Sequence, residues 1–346
     1  MKQMPRLVTA FALADDAGAS DLASKARAKP VTAYAERYME HKLRKISRMD
    51  PNNMKTPTKH LFTHLTAALI NIAPENKDLF HQEHGALDIE FEDSHKWILN
   101  CAPDVQKITV SRKVVEVMWG AAYGYMTIYM KIVQSRLIDQ VRVVDLHEDE
   151  EISKAAELLS WVFSTWLTSD GSSWPANLPQ PTSRPKFGSM QNVADELCLC
   201  GCAVLMHHEL AHIRLKHSPP TTIDMEKDAD REAVRWIIDH DFDELDDRFV
   251  KRMLGVVLAF EVLTAKGIHT RQFGGSTHPF SYDRLYAAIS ENIESRNHVV
   301  WCFLAAIMKL HLDNSGVATE SIVYGDFQES VDNYIDLLSE ISNGQV

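Results

Sequence analysis

Residues 191–217 constrain the fold of this chain most, because the stretch contains no proline and its patterning is helical throughout. Pro219 and Pro220 follow it directly, and proline ends a helix sharply. The first half contains several small residues, among them Cys198, Gly201 and Cys202, which indicates a helix that is buried among its neighbours. We therefore predict one long buried helix over this range.

The second half of this helix reads MHHELAHIRLKHS and holds four of the sixteen histidines of the chain. Residues four apart lie one turn above each other on a helix, so the rings of His208 and His212 can reach one metal ion. Glu209 follows the first of these ligands and can reach a water molecule bound to the ion. A zinc ion lowers the pKa of such a water to about 7, and a carboxylate can then take its proton. The pattern predicts two metal ligands and a general base.

The third ligand is expected on the next helix, within MEKDADREAVRWII. Glu226 and Asp230 are four apart on one face, and Ala229, Ala233 and Ile237 continue that face towards the core. A carboxylate pair on a stripe of small and apolar residues is not typical of a solvated face. We predict that Glu226 binds the metal and that Asp230 accepts the outer N–H of a ligand histidine.

The remaining histidines of the motif stretch are not predicted ligands. His207 lies about 100° around the helix from the first ligand. His217 stands at the helix terminus, and we expect it to face solvent. A metzincin peptidase would have glycine and histidine three and six residues after the second ligand. This chain has Leu215 and Ser218 there, which excludes that class.

A third element, GGSTHPFSYDRL, places His278 in a glycine-flanked loop just before a predicted helix, with Arg284 one turn inside that helix. A cation or N–H donor beside the metal can stabilise the oxyanion that forms when water adds to a peptide carbonyl. Taken alone, a loop histidine such as His278 is more often simply solvated.

The three elements together resemble the gluzincin zinc peptidases of the CAAX-protease type. The resemblance implies that Glu226 is the third zinc ligand and that Asp230 supports a zinc-binding histidine. It also implies that His278 and Arg284 bind the reacting carbonyl. The chain departs from that type because it lacks apolar spans and because only 14 residues separate the second histidine from the ligand glutamate.

Length, a helical N-terminal half and the motif order are similar to the family of phage-exclusion proteases typified by Lit. Residues 191–288 carry this resemblance. It implies a cytoplasmic bacterial endopeptidase that stays dormant until a phage product is present. It further implies that the substrate is a host translation factor, elongation factor Tu.

The rest of the chain predicts an α+β fold that is predominantly α-helical and zincin-like, with a small sheet near residues 86–110. There, ALDIEF, KWILNC and KITV are short, partly alternating runs separated by turn-prone residues. An extended substrate can add to an edge strand of such a sheet. We expect a helical N-terminal region over 1–167, a proline- and serine-rich loop over 168–190 and a helical metallopeptidase region over 191–346. Trp174 is expected to pin the loop, which we interpret as a lid.

Composition and charge restrict the partners and the cellular compartment that we expect for this protein. The net charge of −12 disfavours nucleic-acid binding, although ten lysines and arginines lie between Lys25 and Lys59. We interpret that segment as a solvated helix face, with docking of an acidic partner as the alternative. Five cysteines, an odd number, favour a reducing compartment. The first residues mimic a signal peptide, but their apolar patch is short, so we expect a cytoplasmic protein without membrane contact.

The sequence thus predicts a metalloendopeptidase with one Zn²⁺ per chain, a protein or peptide substrate and an activating phage or regulatory protein as a further partner. One alternative is a regulatory or binding protein with a structural metal site, which usually has four protein ligands. The other is a repressor-processing peptidase of a mobile element, which differs in substrate and not in chemistry.

Overall fold

The computed structural model describes residues 56–137, 149–166, 173–238, 243–275, 278–317, 319 and 325–344. The signal-like start and most of the basic segment, with the helix face predicted for it, lie outside the described residues. The proposed division into three regions therefore stays a prediction.

The described residues form ten α-helices, three strands and three short turns of other helix types. The helices are α1 (Lys59–Asn71), α2 (Lys77–His84), α3 (Arg112–Leu137), α4 (Glu150–Ser160), α5 (Met190–Arg214), α6 (Ile223–Ile238), α7 (Asp247–Thr270), α8 (Ser281–Ser290), α9 (Val299–Asn314) and α10 (Phe327–Ser342). The strands are β1 (Asp88–Glu92), β2 (Leu99–Ala102) and β3 (Lys107–Ser111). Single turns of 3₁₀ helix occupy Pro74–Asn76 and Pro103–Val105, and a π-helical turn continues α4 over Trp161–Trp166. The predominantly helical α+β prediction is confirmed.

The sheet has the order β1-β3-β2, with β1 parallel and β2 antiparallel to the central strand β3. Alternate residues of β1 and β3 are buried, as the period of two in the sequence predicts. β2 is an edge strand and packs beside α5. The sheet therefore presents one open edge close to the helix that carries the motif.

Ser111 directly precedes α3, but its side chain bonds to the segment before β2. Its hydroxyl accepts a bond from the Ile98 amide at 3.0 Å and donates one to the Lys96 carbonyl at 2.8 Å. Ser111 still pairs with Glu92 as the last residue of β3, so its side chain serves the connection that leads into β2.

α5 is the central helix of the fold and packs against α1, α3, α6 and α7. Its cysteines are free, and Cys198 and Cys202 are buried, as predicted from their small size. The closest approach is to α7. A Cβ atom added at Gly255 would lie 2.8 Å from the Cβ of Cys200. Glycine at this position lets the two helix backbones approach closely.

α7 is the only described helix that is long and apolar enough to cross a membrane, and 78% of its apolar window is buried inside the fold. Because the core helix of a soluble domain meets the same criteria, this is weak evidence for a span.

The described part of the predicted loop, residues 173–189, forms no regular element. Trp174 packs against Trp119 and Trp161, and its indole N–H donates to the Pro179 carbonyl at 3.0 Å. The expectation that this side chain pins the loop is confirmed, while a lid function stays a prediction.

Candidate metal centre

α5 and the first turn of α6 bring three side chains to one point. His208 Nε2 lies 3.1 Å from His212 Nε2 and 3.3 Å from Glu226 Oε2, and His212 Nε2 lies 3.6 Å from Glu226 Oε1. Tetrahedral zinc with ligands at about 2.0–2.2 Å requires ligand atoms roughly 3.3–3.6 Å apart. The two ring nitrogens and the Glu226 carboxylate therefore lie close enough together to bind one zinc ion, and all three residues are buried.

The outer nitrogen of His208 has a carboxylate partner. His208 Nδ1 lies 2.8 Å from Asp230 Oδ1, and Nε2 faces the other two ligands. When Nε2 binds a metal, the ring proton is on Nδ1, next to this carboxylate. Burial lowers the pKa of His208, but its contacts with Asp230 and Glu226 outweigh burial and raise it to about 9. The carboxylates of Asp230 and Glu226 thus favour a positive charge at this position, and a bound divalent metal ion supplies one.

Arg284 completes this line of contacts. Its Nε donates to Asp230 Oδ2 at 2.6 Å and its Nη2 to Oδ1 at 2.7 Å. Burial raises the pKa of the Asp230 carboxyl, but the bond from His208 and the charge of Arg284 lower it further, below its usual value. Asp230 is therefore an ionised carboxylate shared by a metal-binding histidine and an arginine.

Glu209 lies beside the predicted ligands and is partly buried. Burial raises its pKa, while the neighbouring His208 acts in the opposite direction. The thiol of Cys101, on the edge strand β2, lies close enough to this carboxylate for the two groups to affect each other's pKa. The predicted general base therefore lies between the metal ligands and the open edge of the sheet.

His278 is also at the site. Its Nε2 lies 3.7 Å from Glu226 Oε2, and 56% of its side chain is exposed. Among the described residues, the metal-binding group contains no fourth side chain. His278 is thus near enough to contact a bound substrate without being one of the three ligands.

Two histidines of the motif point elsewhere. His207 Nε2 contacts the Leu69 carbonyl at 3.0 Å, in agreement with the prediction that it is not a ligand. The expectation that His217 faces solvent is wrong, because its Nδ1 lies 2.9 Å from Nδ1 of His212. His217 is five residues after the second ligand and close to the prolines that end the helix. This position could have predicted that its ring folds back onto the helix.

A cleft of about 850 Å³ lies between α6 and α8 and not over the three ligands. Asp230 and Arg284 line it together with Lys227 and Pro279, the residues that follow Glu226 and His278. The cleft therefore begins next to the candidate metal centre.

Two helix histidines four residues apart, an adjacent glutamate and a glutamate on the following helix are the constellation of gluzincin-type zinc peptidases. The Peptidase U49 family model matches residues 108–304, which is more than half of the chain and contains all the predicted site residues. The chain belongs to this family and is a peptidase. The resemblance to Lit-type peptidases seen in the motifs is thereby confirmed.

A cell death peptidase of Escherichia coli is 25% identical to this chain over 246 residues, covering 68% of this chain and 82% of that protein. No solved structure matches.

Proposed function

We propose that the protein is a zinc-dependent metalloendopeptidase whose ligands are His208, His212 and Glu226. The observation that supports this most directly is how closely the three side chains approach. The two Nε2 atoms lie 3.1 Å apart, and the carboxylate oxygens of Glu226 lie 3.3 Å from one of them and 3.6 Å from the other. These separations suit tetrahedral zinc, and nitrogen with carboxylate ligands is the donor set of many catalytic zinc sites.

The metal, when bound, lowers the pKa of its water to about 7 and polarises the substrate carbonyl. Glu209 accepts a proton from the water as its oxygen bonds to the carbonyl carbon. Glu209 then gives that proton to the amide nitrogen as the C–N bond breaks, which releases an amine and a carboxylic acid. The acid passes its remaining proton to the amine, so the products are a carboxylate and an ammonium group.

His278 and Arg284 have different surroundings, so we assign them different roles. His278 is exposed beside Glu226 and can donate to the oxyanion that develops on the substrate. Arg284 directs two donors at Asp230, so its geometry favours holding that carboxylate over the carbonyl-binding role that the resemblance implies.

We propose a cytoplasmic protein as substrate, with its extended segment added to β2 beside Glu209. The name of the bacterial relative, together with the motif resemblance, supports a role in cell death or phage exclusion. On that basis a translation factor is the first candidate substrate, and a phage or regulatory protein the candidate activator. Nucleic acid and membrane are not proposed partners.

The alternative is a regulatory protein whose metal site is only structural. Such a site usually has four protein ligands and does not require a glutamate in the position of Glu209. Only three ligands meet among the described residues, which favours the catalytic reading.

The test combines metal content with proteolysis in the wild type and in the variants His212→Ala, Glu226→Ala and Glu209→Gln. Asp228→Asn is the control, because Asp228 is an exposed carboxylate on the same helix as Glu226. We expect one zinc per chain in the wild type, the control and Glu209→Gln, and loss of zinc from the other two. Purified bacterial elongation factor Tu and a proteome-derived peptide library are the cleavage probes.

Glu209→Gln should reduce cleavage by roughly 10²–10⁴-fold, the range for loss of a general base, while it keeps its zinc. Absence of zinc from the wild type would refute the metal site. Zinc retained by Glu226→Ala would place the third ligand elsewhere. Full cleavage by Glu209→Gln would refute the role of this carboxylate.

A further inference from the structure

We propose that His217 is a positioning residue that accepts the outer N–H of His212 and so orients this ligand towards the metal. The inference rests on the proposed zinc site and adds a residue to it. His217 would do for the second histidine what Asp230 does for the first.

The end of α5 brings His217 to this point. Lys216 has a φ of 55°, in the left-handed region that commonly ends helices, and the His217 amide donates to the His212 carbonyl at 3.0 Å. A bond across five residues of this kind folds the chain back over the last helical turn. The side chain of His217 is thereby directed at the residue whose carbonyl its own amide binds.

The ring contact has the geometry of an orienting hydrogen bond. Nδ1 of His217 lies 2.9 Å from Nδ1 of His212, and the ring centroids are 5.0 Å apart with planes inclined by 66°. Nε2 of His212 faces His208 and Glu226, so Nδ1 is its outer nitrogen. A neutral histidine that binds metal through Nε2 carries its proton on Nδ1, which needs an acceptor. His217 Nδ1 supplies that acceptor, which places its own proton on Nε2.

The same geometry separates this role from metal ligation. His217 contacts Nδ1 of His212, on the opposite edge of the ring from Nε2, which faces the other ligands. His217 is therefore not placed to bind the same metal ion. The two ligand histidines therefore have unlike partners, an ionised carboxylate for His208 and a neutral imidazole for His212.

Three variants test the proposal. His217→Leu removes the acceptor, His217→Asn places an amide oxygen near the position of Nδ1, and Leu215→Ala is the control, because Leu215 is an exposed residue of the same turn. Zinc affinity is measured by competition with a chromophoric chelator, and the ligand geometry by the visible spectrum of the Co²⁺-substituted protein. Thermal unfolding of each metal-free variant checks the fold.

We expect His217→Leu to bind zinc about 10–100-fold more weakly, the range for loss of a ligand's orienting partner, with a changed Co²⁺ spectrum. His217→Asn should restore both properties towards the wild type, and Leu215→Ala should change neither. Wild-type affinity in His217→Leu would overturn the inference. Equal losses in the Leu and Asn variants would also overturn it, because ring packing and not the acceptor would then matter.

A measurement on the wild type does not depend on any variant folding. In the zinc-loaded protein, long-range ¹H–¹⁵N spectra should show His217 as the tautomer protonated on Nε2. Protonation on Nδ1 instead would overturn the inference while leaving the zinc site intact. If the wild type binds no zinc, the proposed function itself fails. That outcome is distinct from either result for the His217 tautomer.

Discussion

At the scale of single residues, Asp230 decides the electrostatics of the site. It is buried on α6, contacts His208 Nδ1 at 2.8 Å and receives two bonds from Arg284. A carboxylate that orients a ligand histidine also raises the basicity of the ring, which strengthens metal binding. The charge of Asp230 is therefore as important as its hydrogen-bonding geometry.

Asp230→Asn tests this charge while conserving shape. The amide oxygen can still accept from His208, but Arg284 loses its ionised partner. We expect zinc affinity to fall about 10–100-fold, because loss of such a partner commonly has an effect of this size. Chelator competition measures it, with Asp228→Asn as the exposed control on the same helix. An unchanged affinity would show that the charge of Asp230 is not needed.

At the scale of elements, the contact of α5 with α7 fixes the helix on which both ligand histidines stand. Gly255 of α7 faces the backbone and Cβ of Cys200, at 3.2 and 2.8 Å from the position of an added Cβ. Gly201 of α5 faces the terminal Cε of Met118 at 2.5 Å and Cδ2 of Leu258 at 3.0 Å. The first contact involves atoms that move only with the helix, and the second involves the ends of flexible side chains.

This difference predicts unlike effects for the same substitution. In a helix interior, alanine is more favourable than glycine by about 1 kcal/mol. Gly255→Ala should nevertheless lower the free energy of unfolding, because overpacking costs roughly 1–3 kcal/mol where the backbone must shift. Gly201→Ala should be close to neutral, since the side chains of Met118 and Leu258 can turn aside. Urea unfolding of both variants measures the two values, and equal losses would contradict the argument.

At the scale of the whole molecule, a buried carboxyl in α7 limits stability at neutral pH. Glu261 is fully buried, and neither of its side-chain oxygens has a hydrogen-bond partner among the described residues. Burial raises its pKa well above 4.5. Below about pH 4.5 the carboxyl is protonated in both the folded and the unfolded protein, so the fold keeps its full stability. As the pH rises towards the folded-state pKa, the unfolded protein releases this proton first, and the free energy of unfolding falls.

Glu261→Gln removes this titration without a large change in volume. As the pH rises above about 4.5, its free energy of unfolding should rise relative to the wild type, by at most about 1.4 kcal/mol per pH unit. Urea unfolding at several pH values, with chelator present, measures this difference. Glu340→Gln, at an exposed position of α10, is the control and should show no such trend. A difference that stays constant with pH would contradict the prediction.

Local periodicity was enough to predict much of this protein. The helix over 191–217 was predicted from the absence of proline, and it is observed over Met190–Arg214. The sheet near residues 86–110 followed from alternation, and the structure has three strands there. The rings of His208 and His212 were expected to lie together on one helix face, and they do. These features depend on neighbours within a turn or a strand, so the sequence by itself determines them.

Contacts between elements were decided only by the tertiary structure. Cys101 meets Glu209 because β2 packs against α5, and Arg284 meets Asp230 because α8 packs against α6. His217 reaches His212 through the backbone of one residue in the left-handed region. Helical spacing predicts the ligand pair His208 and His212, and it places Glu226 and Asp230 on one face of α6. The approach of Glu226 to the two histidines, which was also predicted, depends on the packing of α6 against α5. The outer partners of the ligands depend on loop geometry and helix packing, which no local pattern encodes.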